Sequence, residues 1–220
     1  QAINGSPSFN QRLQFKTTTS FFNETASGDA DAFGNNIKYT SLKNGLLMLD
    51  SWISMGAAAK TSGANIYYGV PKADDDAVGQ IVNTDPTVLQ NTSGYPAPFV
   101  KDRDGIRTVA APPLAAIGQS PTLAPLVTML NGGPANDFTT TDATWFTSDN
   151  CMGPDPATNK VLIGQFTTDG EFTFRINIQI KNPTTSVVEK YVNENPGTGQ
   201  FLRADLAQTL SRFGIKAGFL

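Results

Sequence analysis

The sequence predicts an all-β fold, an antiparallel β-sandwich formed by a single domain of 220 residues. Residues 172–180 alternate between apolar and polar side chains, which is the period of a strand with one buried face. Only 16% of the residues are charged, against roughly 25% in an ordinary soluble protein. Amphipathic helices need charged outer faces, so this composition favours strands. The length suits one all-β domain.

The strongest local prediction is a β-hairpin over residues 160–181. A three-residue loop ending at Gly170, with this glycine in the left-handed position of a bulge, places Phe166 opposite Phe172. A two-residue loop would turn Leu162 and Phe166 toward the polar face, so the longer loop is preferred. The apolar face of the second strand then consists of Phe172, Phe174, Ile176, Ile178 and Ile180.

Shorter strands are predicted before this hairpin. Residues 1–11 are polar and are expected to lie across the surface or to extend beyond it. Leu13 and Phe15 alternate with polar neighbours, which predicts the first strand within residues 12–23. Further strands are expected at residues 37–42, 64–70 and 79–83.

One early segment is ambiguous. The apolar residues of 46–59 fit a helical stripe and also one face of a strand. Asn44-Gly45 is a hairpin signal immediately before this segment, so the strand is favoured.

Prolines change the character of residues 85–138, which hold eight of the fourteen prolines. Because proline interrupts strand ladders, this range is predicted to be an elaborated loop region over the sheets, with one short helix near residues 123–130. Beyond it, strands are expected at 144–147, around Trp145, and at 186–192. A C-terminal helix is predicted at 201–213, where Leu202, Leu206 and Leu210 share a helical face and Gly214 would end it.

Two short motifs carry a resemblance. Residues 49–56 read LDSWISMG and residues 161–168 read VLIGQFTT, with a Trp-Phe pair between them. They resemble motifs in a loose group of secreted bacterial and algal proteins that have no assigned function. The resemblance implies a shared β-fold and export from the cell, and it brings no catalytic residue.

The absence of histidine excludes most familiar catalytic chemistry. Without imidazole there is no Ser-His-Asp or Cys-His pair and no usual zinc or copper site. Cys151 is the one cysteine, so no disulfide forms within the chain. The net charge of -3, without a Lys/Arg cluster, argues against nucleic-acid and anionic-membrane partners. We expect no enzyme activity, and paired-carboxylate catalysis is the least favoured alternative.

Two kinds of ligand site remain as hypotheses. Calcium takes six to eight hard oxygen ligands, and aspartate-rich loops supply them. The best loops contain Asp74, Asp75, Asp76, Asp102 and Asp104, although aspartate also simply stabilises turns. Aromatic rings suggest a sugar platform, although such residues usually belong to the core. The candidate rings are Trp52, Tyr67, Tyr68, Tyr95, Trp145 and Tyr191.

Together these observations favour an extracellular structural protein that self-assembles, such as a subunit of a surface layer, appendage or filament. Gln1 in place of a starting methionine is what removal of a signal peptide would leave, although a chain trimmed at its start would look the same. Homo-oligomers are expected to form through residues 1–11, with Ile3 and Phe9 entering pockets beside a neighbour's sheet edge. The alternative is a secreted carbohydrate- or ligand-binding β-sandwich module with a glycan partner.

The calcium hypothesis predicts that EDTA lowers the melting temperature and that added calcium restores it, because a ligand that binds only the folded state stabilises that state. Differential scanning calorimetry in the two buffers measures the effect. Identical unfolding curves would leave the aspartates as turn residues only.

Overall fold

The computed structural model describes ten stretches of the chain. They are residues 2–5, 11–23, 32–34, 50–55, 65–69, 88–90, 105–110, 117–147, 163–182 and 184–210.

Two large sheets dominate the described residues. The first has six strands, in the spatial order β14 (Phe201–Leu202), β13 (Val188–Val192), β12 (Ile178–Lys181), β1 (Ala2–Asn4), β9 (Thr144–Thr147) and β7 (Ile117–Gln119). The second has four strands, in the order β15 (Ala207–Leu210), β11 (Phe172–Arg175), β2 (Leu13–Thr17) and β8 (Asp137–Thr140). All neighbours in these two sheets are antiparallel except β13 and β14.

Smaller elements complete the described fold. A two-stranded sheet pairs β10 (Gly164–Gln165) with β3 (Trp52–Ile53), and a three-stranded sheet has the order β4 (Asn65–Gly69), β6 (Gly105–Ala110) and β5 (Val88–Gln90). The described helices are α1 (Ala124–Leu130) and two single-turn 3-10 helices, Pro121–Leu123 and Ala204–Leu206. The prediction of an all-β, sandwich-like fold is confirmed.

An aromatic cluster joins the sheets. Phe15 on β2 and Trp145 on β9 are buried, and their ring centroids lie 5.9 Å apart across the two large sheets. Phe166, which follows β10, stacks on Phe15 at 4.9 Å. The Trp145 indole N–H donates to the backbone oxygen of Ser54 at 3.0 Å, which satisfies its one polar atom. The core therefore spans both large sheets and the segment around β3.

Several predicted elements are confirmed. β2 lies within residues 12–23, with Leu13 and Phe15 buried. β3 confirms a strand within residues 46–59, and β4, β9 and β13 confirm the strands expected at 64–70, 144–147 and 186–192. The two motifs that carry the resemblance meet in the β3–β10 pair, where Trp52 faces Gln165. The predictions for residues 37–42, 44–45 and 79–83 and for Gly214 lie outside the described residues.

The predicted hairpin over residues 160–181 is wrong. β10 pairs with β3, while β11 pairs with β2 and β15. The alternating run breaks at Ile176 and Asn177, two consecutive buried residues, because the chain there leaves the four-stranded sheet for the six-stranded one. Phe166 and Phe172 do meet, but as stacked rings 5.2 Å apart and not as ladder partners.

Gly170 serves close packing and not a left-handed turn, because its φ is not among the positive values found at described glycines. A Cβ atom on Gly170 would lie 2.6 Å from the hydroxyl oxygens of Thr18 and Thr19. Thr168 also donates to or accepts from Thr17 across a 2.6 Å hydroxyl pair. The expected bulge is therefore wrong, and the glycine is needed because the threonines leave no room for a side chain.

Residues 2–4 are not a free N-terminal segment. They form β1, which lies between β12 and β9 in the middle of the six-stranded sheet, with Ile3 buried. Both backbone edges of β1 are hydrogen-bonded within its own chain. The prediction that residues 1–11 join neighbouring copies is therefore wrong for residues 2–4, because the edges of this strand are already occupied. Gln1 and residues 6–10, which include Phe9, lie outside the described residues.

The proline-rich range is more regular than expected. β5, β6 and β7 all lie within residues 85–138, because each strand fits between successive prolines. The short helix near residues 123–130 is confirmed as α1, whose first turn contains a proline where the missing N–H costs nothing. Its buried face consists of Leu126, Met129 and Leu130.

The predicted helix at 201–213 is wrong. Its described part forms β14, a 3-10 turn and β15. Leu206 is buried, but Leu202 is exposed and Leu210 is only half-buried, so the three leucines do not form one buried stripe. Pairing with β13 and β11 replaces the helix, because ladder contacts outweigh local helix propensity here.

The position of β1 predicts a large cost for Ile3→Ala. Removing this buried side chain should lower the free energy of unfolding by about 2–5 kcal/mol, because it leaves a cavity between the sheets. Chemical denaturation measures the change, with Val188→Ala on an exposed position as the control. A free N-terminal segment would instead leave the stability of Ile3→Ala equal to that of the control.

Candidate functional site at the β13–β14 edge

Two buried asparagines hold the base of this edge. The Asn177 side-chain amide donates to the backbone oxygens of Asn4, at 2.6 Å, and Arg12, at 3.2 Å. The backbone N–H of Asn193, just after β13, donates to Asn177 Oδ1 at 3.1 Å. Asn193 Nδ2 donates to the backbone oxygen of Ile176 at 3.0 Å. We call Asn177 and Asn193 the asparagine junction, and it fixes the end of β13 to β12 and β1.

The turn that follows is held by glutamine and glycine. Gln11 is buried, and its side-chain amide donates to the backbone oxygen of Asn195 at 3.2 Å and to Gln200 Oε1. Gln200 Oε1 also accepts the Gly197 N–H at 2.8 Å. Gly199 has a φ of +75°, a left-handed value that glycine adopts without strain. This turn returns the chain beside β13 as the edge strand β14.

An ion pair clamps the same turn to β2. The Glu194 carboxylate accepts hydrogen bonds from Arg12 Nε at 2.7 Å and Nη2 at 2.8 Å, and Arg175 Nη1 lies 3.6 Å away. The hydrogen bonds from Arg12 lower the pKa of Glu194, and the same bonds raise the pKa of Arg12. Both groups therefore keep their charges more strongly in the folded protein than in the unfolded chain.

Among the described strands, β14 lies at the edge of the six-stranded sheet. Phe201 pairs with Tyr191 and Leu202 with Val192, and the Arg203 N–H donates to the Val192 backbone oxygen at 2.8 Å. No other strand among the described residues pairs with the far side of β14. Arg203 bonds to Asp205 two residues later, and this ion pair is exposed.

Exposed apolar side chains concentrate at this edge. The large hydrophobic residues that are exposed within the described ranges are Phe146, Val187, Val188, Phe201 and Leu202. All of them except Phe146 lie on β13, on β14 or in the turn before β13. We call Val187, Val188, Phe201 and Leu202 the apolar edge. Single exposed apolar residues are normal, whereas clustered ones mark interaction surfaces.

A polar group lies beside the aromatic end of the apolar edge. The rings of Tyr191 and Phe201 are 5.5 Å apart, inclined at 30°. The Tyr191 hydroxyl donates to the Glu189 carboxylate at 2.7 Å, and Asn182 Nδ2 donates to it at 3.1 Å. These hydrogen bonds lower the pKa of Glu189, with Tyr191 the larger cause, and the bond to Glu189 raises the pKa of Tyr191.

The residues predicted to bind ligands are distributed differently. Asp74, Asp75, Asp76, Asp102 and Asp104 lie outside the described residues, so calcium binding there stays a prediction. Within the described ranges, no three His, Cys, Asp or Glu side chains are grouped closely enough to hold a metal ion.

The aromatic candidates also separate. Trp52 and Trp145 are core residues, so neither offers an exposed ring to a sugar. Tyr95 lies outside the described residues. For Tyr67 and Tyr68 the structure describes the backbone of strand β4 and not the side chains. Among the candidate rings whose side chains the structure describes, Tyr191 is the one at the candidate site.

The apolar edge was missed in the sequence because residues 201–213 have helical spacing. The available signal was the turn chemistry before them, where Pro196-Gly197 and Gly199 precede two consecutive apolar residues. Consecutive apolar residues after such a turn are typical of a strand start as well as of a helix.

The chain matches no family model, no curated protein and no solved structure, so the geometry of its own residues is the basis for a proposed function.

Among the helices that the structure describes, none is long and apolar enough to cross a membrane.

The ion pair predicts a pH-dependent effect of Glu194→Gln. Because folding lowers the pKa of Glu194, its contribution to stability is complete above the ordinary glutamate pKa of 4.5 and is lost as the pH falls through the lowered folded-state pKa. At pH 7 the variant should be less stable by about 1 kcal/mol. Urea unfolding at pH 7 and at pH 2.5 measures both stabilities. An equal difference at both pH values would show that the charge of Glu194 is not the cause.

Proposed function

We propose that this protein is an extracellular structural protein that assembles with copies of itself, as a subunit of a surface layer, appendage or filament. The observation that carries the proposal is the apolar edge. Four large apolar side chains are 48–58% exposed, two on β14, one at the start of the neighbouring strand β13 and one in the turn immediately before β13. Burying such side chains against another protein removes apolar surface from water, which is the main favourable term in association.

The contrast with the other sheet edges supports the proposal. Sheet edges are usually protected from association by charged or polar side chains, proline or short length. In the two large sheets, the other edge strands β7, β8 and β15 expose polar residues: Gln119, Asp137, Thr139, Gln208 and Thr209. β14 is short, but it exposes phenylalanine and leucine. Polar side chains on the other edge strands and apolar side chains on β14 are the pattern expected when one edge makes a specific contact.

The outer face of the four-stranded sheet fits an extracellular location. Part of it is formed by neutral hydrogen-bonded pairs, as in the Thr173–Thr209 hydroxyl pair at 3.0 Å, and part by the exposed Lys16–Asp137 ion pair at 3.5 Å. Gln14 Nε2 likewise donates to Thr139 Oγ1 at 2.9 Å. The low charged fraction of the whole chain, 16%, is the feature that supports an extracellular location. The resemblance of residues 49–56 and 161–168 to secreted proteins points the same way.

A carbohydrate- or ligand-binding module is the second candidate. Tyr191 and Phe201 present neighbouring rings, and the Glu189 carboxylate and the Asn182 amide lie beside them. Aromatic faces with a few fixed polar groups are the usual content of a sugar site. Phe201 belongs to both this ring pair and the apolar edge, so substitutions of Phe201 test both functions.

Self-assembly predicts that sedimentation velocity of the wild-type protein shows larger species as concentration rises. Phe201→Ser should weaken that association about 10- to 100-fold, since burial of a phenylalanine contributes roughly 1.5–3 kcal/mol. Phe146→Ser is the matched control, because within the described ranges Phe146 is the exposed large apolar residue outside the apolar edge. A wild-type protein that stays monomeric and binds a glycan array, with binding lost in Phe201→Ser, would instead establish the binding module.

A further inference from the structure

We infer that two copies join by antiparallel pairing of their β14 strands, so that the six-stranded sheet of one copy continues into that of the next. This inference rests on the proposed self-assembly and specifies its contact. Three features of residues 201–203 determine the strand and the register of this joint.

The first feature is exposure on both faces of β14. Phe201 and Leu202 are consecutive strand residues, so their side chains point to opposite faces of the sheet. Each is 55% exposed. A partner lying flat on one face would cover only one of these side chains. A strand added along the edge contacts both, because its own side chains alternate between the same two faces.

The second feature is the direction of the backbone groups. The Arg203 N–H points toward β13, because it donates to the Val192 oxygen at 2.8 Å. Successive residues of a strand direct their N–H and C=O groups to alternate sides, so those of Leu202 point away from β13. No described strand occupies that side. Leu202 therefore offers one donor and one acceptor to an added strand.

The third feature is that this donor and acceptor are self-complementary, so a second copy of this chain fits them. A residue that offers both groups on one side exchanges two hydrogen bonds with an antiparallel partner directly opposite. A two-fold axis at Leu202 meets this requirement, because Leu202 then faces the Leu202 of the second copy. The contact is self-complementary, as an interface between identical copies must be when the symmetry is two-fold.

The side chains agree with this register. It places Phe201 of each copy opposite Arg203 of the other, where a guanidinium group attracts the face of an aromatic ring. Like charges directly opposite each other would destabilise the strand pair, and this register opposes none. The Arg203 side chain pairs with Asp205 in an exposed ion pair, and such pairs hold a side chain weakly.

This joint is closed by its own symmetry. Two copies use up both β14 edges, so the contact makes a dimer and does not by itself make a filament. The dimer is then the building unit of the proposed layer or filament. Further growth requires a second contact elsewhere on the surface.

Leu202→Pro and Leu202→Thr form the first test. Proline lacks the N–H that points away from β13, so the variant loses no hydrogen bond of its own sheet, and Phe201 before it is already in a strand. We expect Leu202→Pro to weaken dimerisation about 100-fold through the two lost backbone bonds, and Leu202→Thr to weaken it only about tenfold. Circular dichroism checks that both variants fold, and sedimentation equilibrium measures the dimer.

A cysteine cross-link provides a second test that does not depend on the proline. Paired residues in the proposed register have Cα atoms about 5.5 Å apart, within the range of a disulfide. Leu202→Cys in a Cys151→Ser background should therefore form covalent dimers under mild oxidation. Phe146→Cys in the same background is the control, because Phe146 is exposed on a strand distant from β14.

The outcomes separate this inference from the function on which it rests. A wild-type protein that never associates overturns both. If the wild-type protein associates and Leu202→Pro associates equally well, the β14 joint is overturned and self-assembly stands. Covalent dimers of Leu202→Cys that are no more abundant than those of Phe146→Cys overturn the register in the same way. Loss of the dimer in Leu202→Pro together with the Leu202→Cys cross-link supports the joint.

Discussion

The rest of the structure depends on the asparagine junction, where the chain leaves the four-stranded sheet for the six-stranded one. A strand that changes sheets loses ladder partners, and unpaired buried backbone groups are costly. The side chains of Asn177 and Asn193 replace those partners, because they bond to backbone oxygens of β1, of Arg12 and of Ile176. A buried network of this kind specifies one arrangement more strongly than apolar packing alone. It fixes β1, β12 and β13 together.

The candidate function follows from what the junction positions. Gln11 and the Arg12–Glu194 ion pair extend the junction to the turn after β13, and that turn places β14 at the margin of the sheet. These hydrogen bonds therefore support β14. Its outward backbone groups pair with no other described strand, and side chains on both of its faces are exposed. A rigid support beneath an exposed edge reduces the ordering that association requires. The account therefore links a buried polar cluster to a surface contact through one short turn.

Local signals in the sequence predicted the elements whose stability is local. β2, β9 and β13 follow from period-two patterns or β-rich composition, and α1 was expected near residues 123–130. The strand pairing was not predictable, because it depends on residues that are distant in sequence. Gly164 pairs with Ile53 and not with a residue of the next strand, β11, so the predicted hairpin does not form. The apolar edge was not predicted, because Leu202 and Leu206 have the spacing of one helical face. In the structure Leu202 is exposed and Leu206 is buried.

Amide hydrogen exchange at Leu202, measured in dilute and in concentrated protein, tests the central claim most directly. The β14 joint predicts fast exchange of the Leu202 amide in dilute solution and strong protection at high concentration. The Arg203 amide, bonded to Val192 within the chain, should be protected equally in both and serves as the internal control. Association at high concentration without any added protection of the Leu202 amide would contradict the account.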